Sequence, residues 1–260
     1  LVFIEYESNL KNVGTGNDNM YSNGEFLVAQ NLIKRDNVVM DIGANRGRWT
    51  KMALTLAPLK KIYCVEPISD MCREISQQFH YRPELRIVNA AVADTIKDIN
   101  FFFYANSPQM AELSNIFGRP EVEIKNGLDI QTAHIKSITI DHICNIEKLE
   151  HIDFIKLDVE GAEWLAIQGM KEMLEKHAID HIQFEYGGCF VDSKATLKEM
   201  MQYLGAYNFT VLRIFPNGLI RFENWADEME NYLHSNYLAI HNCNIPPTIF
   251  AENIDKIEVV

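Results

Sequence analysis

Short apolar runs alternate with amphipathic stretches along most of the chain. Residues 37–42 (Asn-Val-Val-Met-Asp-Ile) form an apolar run that ends in a glycine-bearing turn. A run of that length bounded by a turn predicts a strand buried on both faces. Residues 61–65, 85–91, 152–157 and 181–185 have the same character. Between them, apolar positions recur at helical spacing over residues 25–34, 46–56, 69–79 and 193–204, with Ser69 or Asp70 as N-cap of the third. Residues 161–177 predict one long helix, with Ala162, Leu165, Ala166, Met170, Met173 and Leu174 on a single stripe. Residues 98–104 predict an edge strand, and residues 138–140 a short one. The turn-rich residues 14–24 and the segment 105–135, with Gly118, Pro120 and Gly127, predict irregular chain. Residues 209–215, 219–222 and 237–240 complete the pattern as strands.

Strand–helix alternation at this spacing predicts an α/β fold. Its sheet is doubly wound and mostly parallel, with helices on both faces and antiparallel strands closing the C-terminal edge. Nothing in the chain reads as a repeat or a linker, so residues 1–260 are expected to form one domain, with 1–35 as an N-terminal loop and helix. Ligands on such sheets bind outside the carboxyl ends of the strands. That rule selects Asp41, Glu66, Asn89, Asp158 and Glu185.

Charge narrows the partners. Asp plus Glu total 36 against 24 Lys plus Arg, a formal net charge of −12. Phosphate-bearing partners reward clustered cations, so the balance speaks against nucleic acid and anionic membranes. No apolar run approaches the ~20 residues needed to span a bilayer. The five cysteines include no C-x-x-C pair, which disfavours a zinc site or a disulfide framework and suits a reducing, cytoplasmic setting. The N-terminus is too short and too acidic for a signal peptide, and it lacks a Met.

The turn after the first strand reads Asp41-Ile42-Gly43-Ala44-Asn45-Arg46-Gly47. Its glycines let a ligand lie against bare backbone. A dinucleotide fingerprint is G-x-G-x-x-G. Here Asn45 replaces the second glycine and the last comes one residue early, which disfavours a pyrophosphate cradle. Asp41 would repel phosphate and attract an ammonium. S-adenosylmethionine offers an ammonium, a carboxylate, a sulfonium and no phosphate. Glu66 ends the second strand, where one carboxylate can accept both hydroxyls of a ribose. Asn89 ends the third strand beside Ala90, placed for the adenine edge. A plain capped turn and a solvated strand-end glutamate are the bland alternatives. Their coincidence on consecutive strands favours a cofactor.

A second constellation, Lys156-Leu157-Asp158-Val159-Glu160-Gly161-Ala162-Glu163, ends the strand at 152–157. With residues 39–47, Val65-Glu66-Pro67, residues 89–92, residues 137–141 and Gln168-Gly169, it resembles the FkbM family of S-adenosylmethionine-dependent methyltransferases over roughly residues 20–190. The resemblance implies a Rossmann-like class I methyltransferase fold, Glu66 as the ribose-binding acid, and S-adenosylhomocysteine as a product. It also implies O-methylation of a hydroxyl, commonly on a sugar or a secondary-metabolite scaffold. Abundant Asn, Lys and Ile suit an AT-rich bacterial source. That tilts the expectation toward a small-molecule or glycan acceptor, a sugar nucleotide or surface polysaccharide sugar, with specificity in residues 105–135. A homo-oligomer is compatible with the chain.

Methyl transfer from a sulfonium is a direct displacement, in which the protein holds oxygen, carbon and sulfur in line. An alcohol is a poor nucleophile, so a base helps. The candidates are Asp158, Glu185 and His134, with Glu160 behind them. His241 reads better as a core or edge histidine, Tyr186 as packing, and Glu163 as a complement to a helix dipole. Carboxylates at 158, 160 and 185 could bind Mg²⁺. No D-x-D-x-D loop or strong His/carboxylate spacing is present, so no metal residue is assigned. Among the rivals, a nucleic-acid (RNA) methyltransferase needs a basic groove or stacking platform. An NAD-dependent oxidoreductase needs G-x-G-x-x-G. A non-catalytic interaction protein that kept the fold would bind the cofactor without methyl transfer.

Overall fold

The structure, a computed structural model, describes residues 16–104, 130–221 and 225–244. Eleven strands are formed by these residues: β1 (Val38–Ile42), β2 (Lys61–Val65), β3 (Leu85–Val88), β4 (Ala91–Val92), β5 (Asp98–Tyr104), β6 (Ile130–Ile138), β7 (Ile152–Leu157), β8 (Ile179–Tyr186), β9 (Phe209–Phe215), β10 (Gly218–Arg221) and β11 (Ser235–His241). An eight-stranded sheet has the order β10-β9-β11-β8-β7-β1-β2-β3, and a three-stranded sheet has the order β4-β6-β5. The contacts β8-β7-β1-β2-β3 are parallel. All five residues of β1 are buried, as an apolar run flanked on both faces requires.

Helices cover both faces. α1 (Glu25–Leu32) and α2 (Arg48–Leu56) supply Val28, Ala29, Trp49, Met52 and Ala53 to one core, against Val39, Ile62 and Phe154. α3 (Ser69–Gln78) adds Ile75 on that side. The opposite core places Met40, Ile155, Ile182 and Phe184 against α4 (Ile140–Glu147), α5 (Glu163–Gln168) and α6 (Lys171–Glu175). α7 (Cys189–Ser193) and α8 (Leu197–Ala206) complete this layer through Phe190, Leu197, Met200 and Leu204. Val39 and Met40 enter different cores because successive strand residues face opposite ways.

Several expected boundaries move. The long helix expected over 161–177 is two, α5 and α6. A Cβ on Gly169 would lie 2.3 Å from the Ala93 carbonyl oxygen, so the chain runs tight against β4 there. The Asp141 carboxylate then starts α6 by accepting from Glu172 N and Met173 N at 2.8 and 3.1 Å. Residues 138–140 are no separate strand. Ile138 ends β6, and Thr139 caps α4 by accepting from His142 N at 3.0 Å. The strand expected over 85–91 stops at Val88, and Ala91 and Val92 pair instead with Ser137 and Ile138.

The N-cap of α3 is Ile68, whose own N–H goes to Glu66, and the helix expected from 193 begins at Leu197 behind a Thr196 cap. Residues 130–135, expected irregular, lie in β6; residues 105–129 of that segment lie outside the described residues. Antiparallel pairing does occur at the C-terminal end of the chain, but β11 inserts between β8 and β9, leaving β10 at the edge. Every residue of β11 is buried.

Candidate active site

Order reversal beside β1 opens a crevice outside the carboxyl ends of β1 and β7, where doubly wound sheets hold ligands. Gly43 (φ 81°) takes the turn into left-handed space, and a Cβ there would sit 1.8 Å from the Asp158 carbonyl oxygen. The cofactor-type turn and the end of β7 therefore press together. Asn45 (φ 49°) tolerates the left-handed conformation better than most residues. Its N–H donates to Glu66 Oε2 at 2.8 Å, and Ile68 N donates to Glu66 Oε1 at 2.8 Å. Glu66 is 4% exposed. Burial pushes its pKa up to about 7, against the opposing pull of the two backbone bonds.

A cavity of about 440 Å³ fills the crevice. One half is lined by Gly43, Asn45, Glu66 and Ala90. The other half carries Lys156, Asp158 and Glu185 from the strand ends, and His234 from the residue before β11. Asp18, Met20 and Glu25 reach it from the N-terminal segment.

Beneath the floor runs a buried polar layer. Asp41, Lys156 and Gln183 stand in register on β1, β7 and β8. Asp41 is fully buried, and Thr50 Oγ1 donates to its Oδ2 at 2.6 Å. Its Oδ1 has no hydrogen-bond partner and lies 3.8 Å from Lys156 Nζ. Burial raises the Asp41 pKa, with the Lys156 charge opposing. Lys156 Nζ donates to Asp158 Oδ2 at 2.7 Å. Burial disfavours its charge, but Asp158, Asp41 and Glu25 outweigh that and raise its pKa. Glu25 accepts from Gln183 Nε2 at 2.6 Å and from Asn236 Nδ2 at 3.3 Å.

Glu185 Oε1 lies 3.2 Å from His234 Nε2. Burial raises the Glu185 pKa, while the His234 bond lowers it. For His234, burial works against the cation, but Glu185, Asp18 and Asp158 hold the pKa up at about 9.

The expected residues divide. Gly43, Asn45, Glu66, Ala90, Asp158 and Glu185 line the cavity, as does Glu160. Gly47 is instead the N-cap residue of α2, at φ 72°. Asp41 sits under the turn rather than in the wall. Asn89 is not among the residues lining the cavity. Its Nδ2 donates to the carbonyls of Glu66 and Pro67, and its Oδ1 accepts from Ser69, so its amide braces the turn after β2.

His134 is exposed on β6, paired with Asn100 in the small sheet, and is not among the residues lining the cavity. Glu163 closes the 158–161 turn by accepting from Val159 N and Gly161 N, both at 2.9 Å. Burial pushes its pKa up to about 8. His241 packs with His177 at the far end of β11, and Tyr186 is a buried bridge to Glu230 and Tyr232. Sequence reasoning missed His234. Its signal is topological: β11 runs antiparallel to β8, so its amino end lies level with the carboxyl end of β8, where Asn236 faces Glu185.

The residues fit S-adenosylmethionine. Asp41 Oδ1 is a buried acceptor in need of a donor, Glu66 offers a carboxylate for a diol, and bare backbone at Gly43 admits close approach. Among the described residues, a potential metal-ligand group, His151, Asp153 and Asp180, lies at the amino ends of β7 and β8, away from this crevice. No helix among the described residues is long and apolar enough to cross a membrane.

Such a sheet, with this turn and this acid, fits an S-adenosylmethionine-dependent methyltransferase. Residues 41–211 match the family model described as the methyltransferase FkbM domain, more than half of the chain, and the protein belongs to that family. It is 25% identical over 193 residues to the 2-O-methyltransferase NoeI of Sinorhizobium fredii, covering 72% of this chain and 78% of the relative. Among solved structures, it is similar to an FkbM methyltransferase of Methylobacillus flagellatus (TM-score 0.48, 13% identity), covering 78% of this chain and 44% of that one. A Streptococcus mutans protein solved with S-adenosylhomocysteine has a TM-score of 0.44 at 11% identity, covering 83% of this chain and 94% of that one.

Proposed function

We propose that this protein methylates a hydroxyl of a sugar, on a bacterial surface glycan or its nucleotide-linked precursor. The observation that carries the reading is the juxtaposition of two half-sites in one cavity. Glu66 and the Gly43 turn form the first, and Asp158 and Glu185 the second. The name of the NoeI relative, a 2-O-methyltransferase, supports O-methylation. The acid-rich lining and the net charge of −12 support a small hydroxylated acceptor over nucleic acid.

S-adenosylmethionine supplies an electrophilic methyl group on a sulfonium. The chain supplies position and a base. Glu66 would accept the ribose hydroxyls, and Asp41, buried beneath the turn, would draw the ammonium toward it through the field of its carboxylate. Of the two cleft carboxylates, Asp158 is committed to the Lys156 ammonium at 2.7 Å. Glu185 is the half-buried carboxylate whose pKa is raised by desolvation, the direction a general base needs. It would take the proton of the acceptor hydroxyl as that oxygen accepts the methyl group from the sulfonium. His234 holds Glu185 in place, and Asp158 orients the acceptor. Calorimetry with S-adenosylhomocysteine tests the cofactor assignment, and its failure to bind would sink it. A mass-spectrometric screen for methyl transfer to sugars tests the reaction.

A further inference from the structure

Resting on that reading, the charge arrangement of the acceptor half narrows what can enter it. Asp18, Glu25, Asp158, Glu160 and Glu185 contribute five carboxylates. Among the described residues, the cations beside them are engaged by protein. Lys156 is bonded to Asp158 with Asp41 behind it, and His234 lies 3.2 Å from Glu185 and 3.6 Å from Asp18. Arg46 is paired with Glu74, and Arg48 also interacts within the chain. A diphosphate brought here would face carboxylates at close range in a partly desolvated pocket, where repulsion is poorly screened. Sugar hydroxyls are donors that suit carboxylate oxygens, and an ammonium suits them better still.

Part of this wall lies outside residues 41–211, the stretch that the family model matches. Gly16 N donates to the His234 carbonyl at 3.0 Å, which ties the segment carrying Asp18 and Met20 to the lead into β11. Tyr21 and Leu233, adjacent in sequence to the lining residues Met20 and His234, are exposed apolar side chains suited to the apolar face of a sugar ring.

We propose that the acceptor enters as a phosphate-free sugar, neutral or bearing an ammonium, held through its hydroxyls by Asp158, Glu185 and Asp18. Nucleoside diphosphate sugars are disfavoured by the same carboxylates. The experiment uses isotope-labelled S-adenosylmethionine and matched acceptors. One arm holds methyl glycosides, 2-amino-2-deoxy glycosides and short oligosaccharides of common hexoses and deoxyhexoses. The other holds the UDP-, GDP- and dTDP-linked forms of the same sugars.

The expected result is transfer to a member of the first arm at least roughly tenfold faster than to its nucleotide-linked form. Equal or faster transfer to the nucleotide-linked form overturns the proposal. So does S-adenosylhomocysteine binding with no transfer to either arm. Absent S-adenosylhomocysteine binding defeats the methyltransferase site itself, a separate failure. Asp18→Lys reverses a rim charge, and it should narrow the preference several-fold while circular dichroism stays native. A folded variant with the wild-type ratio would remove the charge argument.

Discussion

Replacing Glu66 by Gln separates what this residue does for the ligand from what it costs the fold. Its pKa rises from an ordinary 4.5 to about 7, so holding it ionised costs the unliganded protein about 3 kcal/mol above pH 7. Glu66→Gln removes that charge. The amide, however, cannot accept from both Asn45 N and Ile68 N, as the two carboxylate oxygens do. One orphaned N–H costs about 1–3 kcal/mol, so the two effects nearly cancel and the melting temperature at pH 8 should move little.

Binding behaves differently. A carboxylate that accepts two ribose hydroxyls makes two charge-assisted bonds, and the amide keeps one neutral acceptor. The difference is about 2 kcal/mol, or roughly 30-fold in Kd for S-adenosylhomocysteine by calorimetry. The sign with pH follows from the raised pKa. Wild-type affinity should fall as pH drops through about 7, because the protonated acid loses an acceptor. The stability of the unliganded fold should rise over the same interval, because protonation removes the buried charge. A folded Glu66→Gln protein with wild-type affinity at pH 8 would refute the ribose assignment.

Other residues give further checks. Glu163→Ala strips the acceptor from Val159 N and Gly161 N, and should lower stability by about 2–4 kcal/mol in denaturant titration. Because the Glu163 pKa is raised from 4.5 to about 8, the wild type should also lose stability as pH climbs from about 4.5 to about 8, and this component should vanish in Glu163→Gln. Asp158→Ala should cut turnover on the order of 100-fold while disturbing folding far less, since Asp41 still faces Lys156; wild-type turnover would remove Asp158 from the mechanism. Glu185→Gln should lower the rate by roughly 10²-fold or more, and should abolish an acid limb that in the wild type lies above the ordinary carboxylate range. Activity should survive EDTA, and a loss restored by Mg²⁺ would assign a metal to the cleft carboxylates.

What was legible in the chain is what depends on neighbours in sequence. The turn at Asp41–Gly47 announces itself because left-handed positions select Gly and Asn locally, and Glu66 and Asp158 follow from the strand-end rule. The departures share a cause. Asn89 stands at a strand end like Glu66, but the carbonyls of Glu66 and Pro67 consume its amide, and only the folded turn reveals that. Periodicity continued the 161–177 helix through Gly169, because the stripe does not register that Ala93 lies in the way. His134 looked eligible by chemistry, yet pairing in the small sheet carries it to an exposed position.

The polar layer under the cleft was least legible, and it explains why the two half-sites belong to one machine. Glu25 bonds Gln183 and Asn236, partners 158 and 211 positions away in sequence, so no local window contains the contact. Through this layer, Glu25, Asp41 and Asp158 surround one buried ammonium, that of Lys156. Three carboxylates around one cation leave net negative charge in a buried place, which is unfavourable unless another positive group arrives. Asp41 Oδ1, unpartnered under the cofactor turn, is where a cationic ligand gains most. An ammonium drawn to Asp41 would lessen its hold on Lys156 and tighten the Lys156–Asp158 pair. The cofactor end would thereby set the position of a carboxylate at the acceptor end. Lys156→Met should therefore tighten S-adenosylhomocysteine binding while lowering turnover, whereas Asp158→Ala, which returns the Lys156 ammonium to Asp41, should weaken binding. Equal effects of the two substitutions on the calorimetric Kd would break the link.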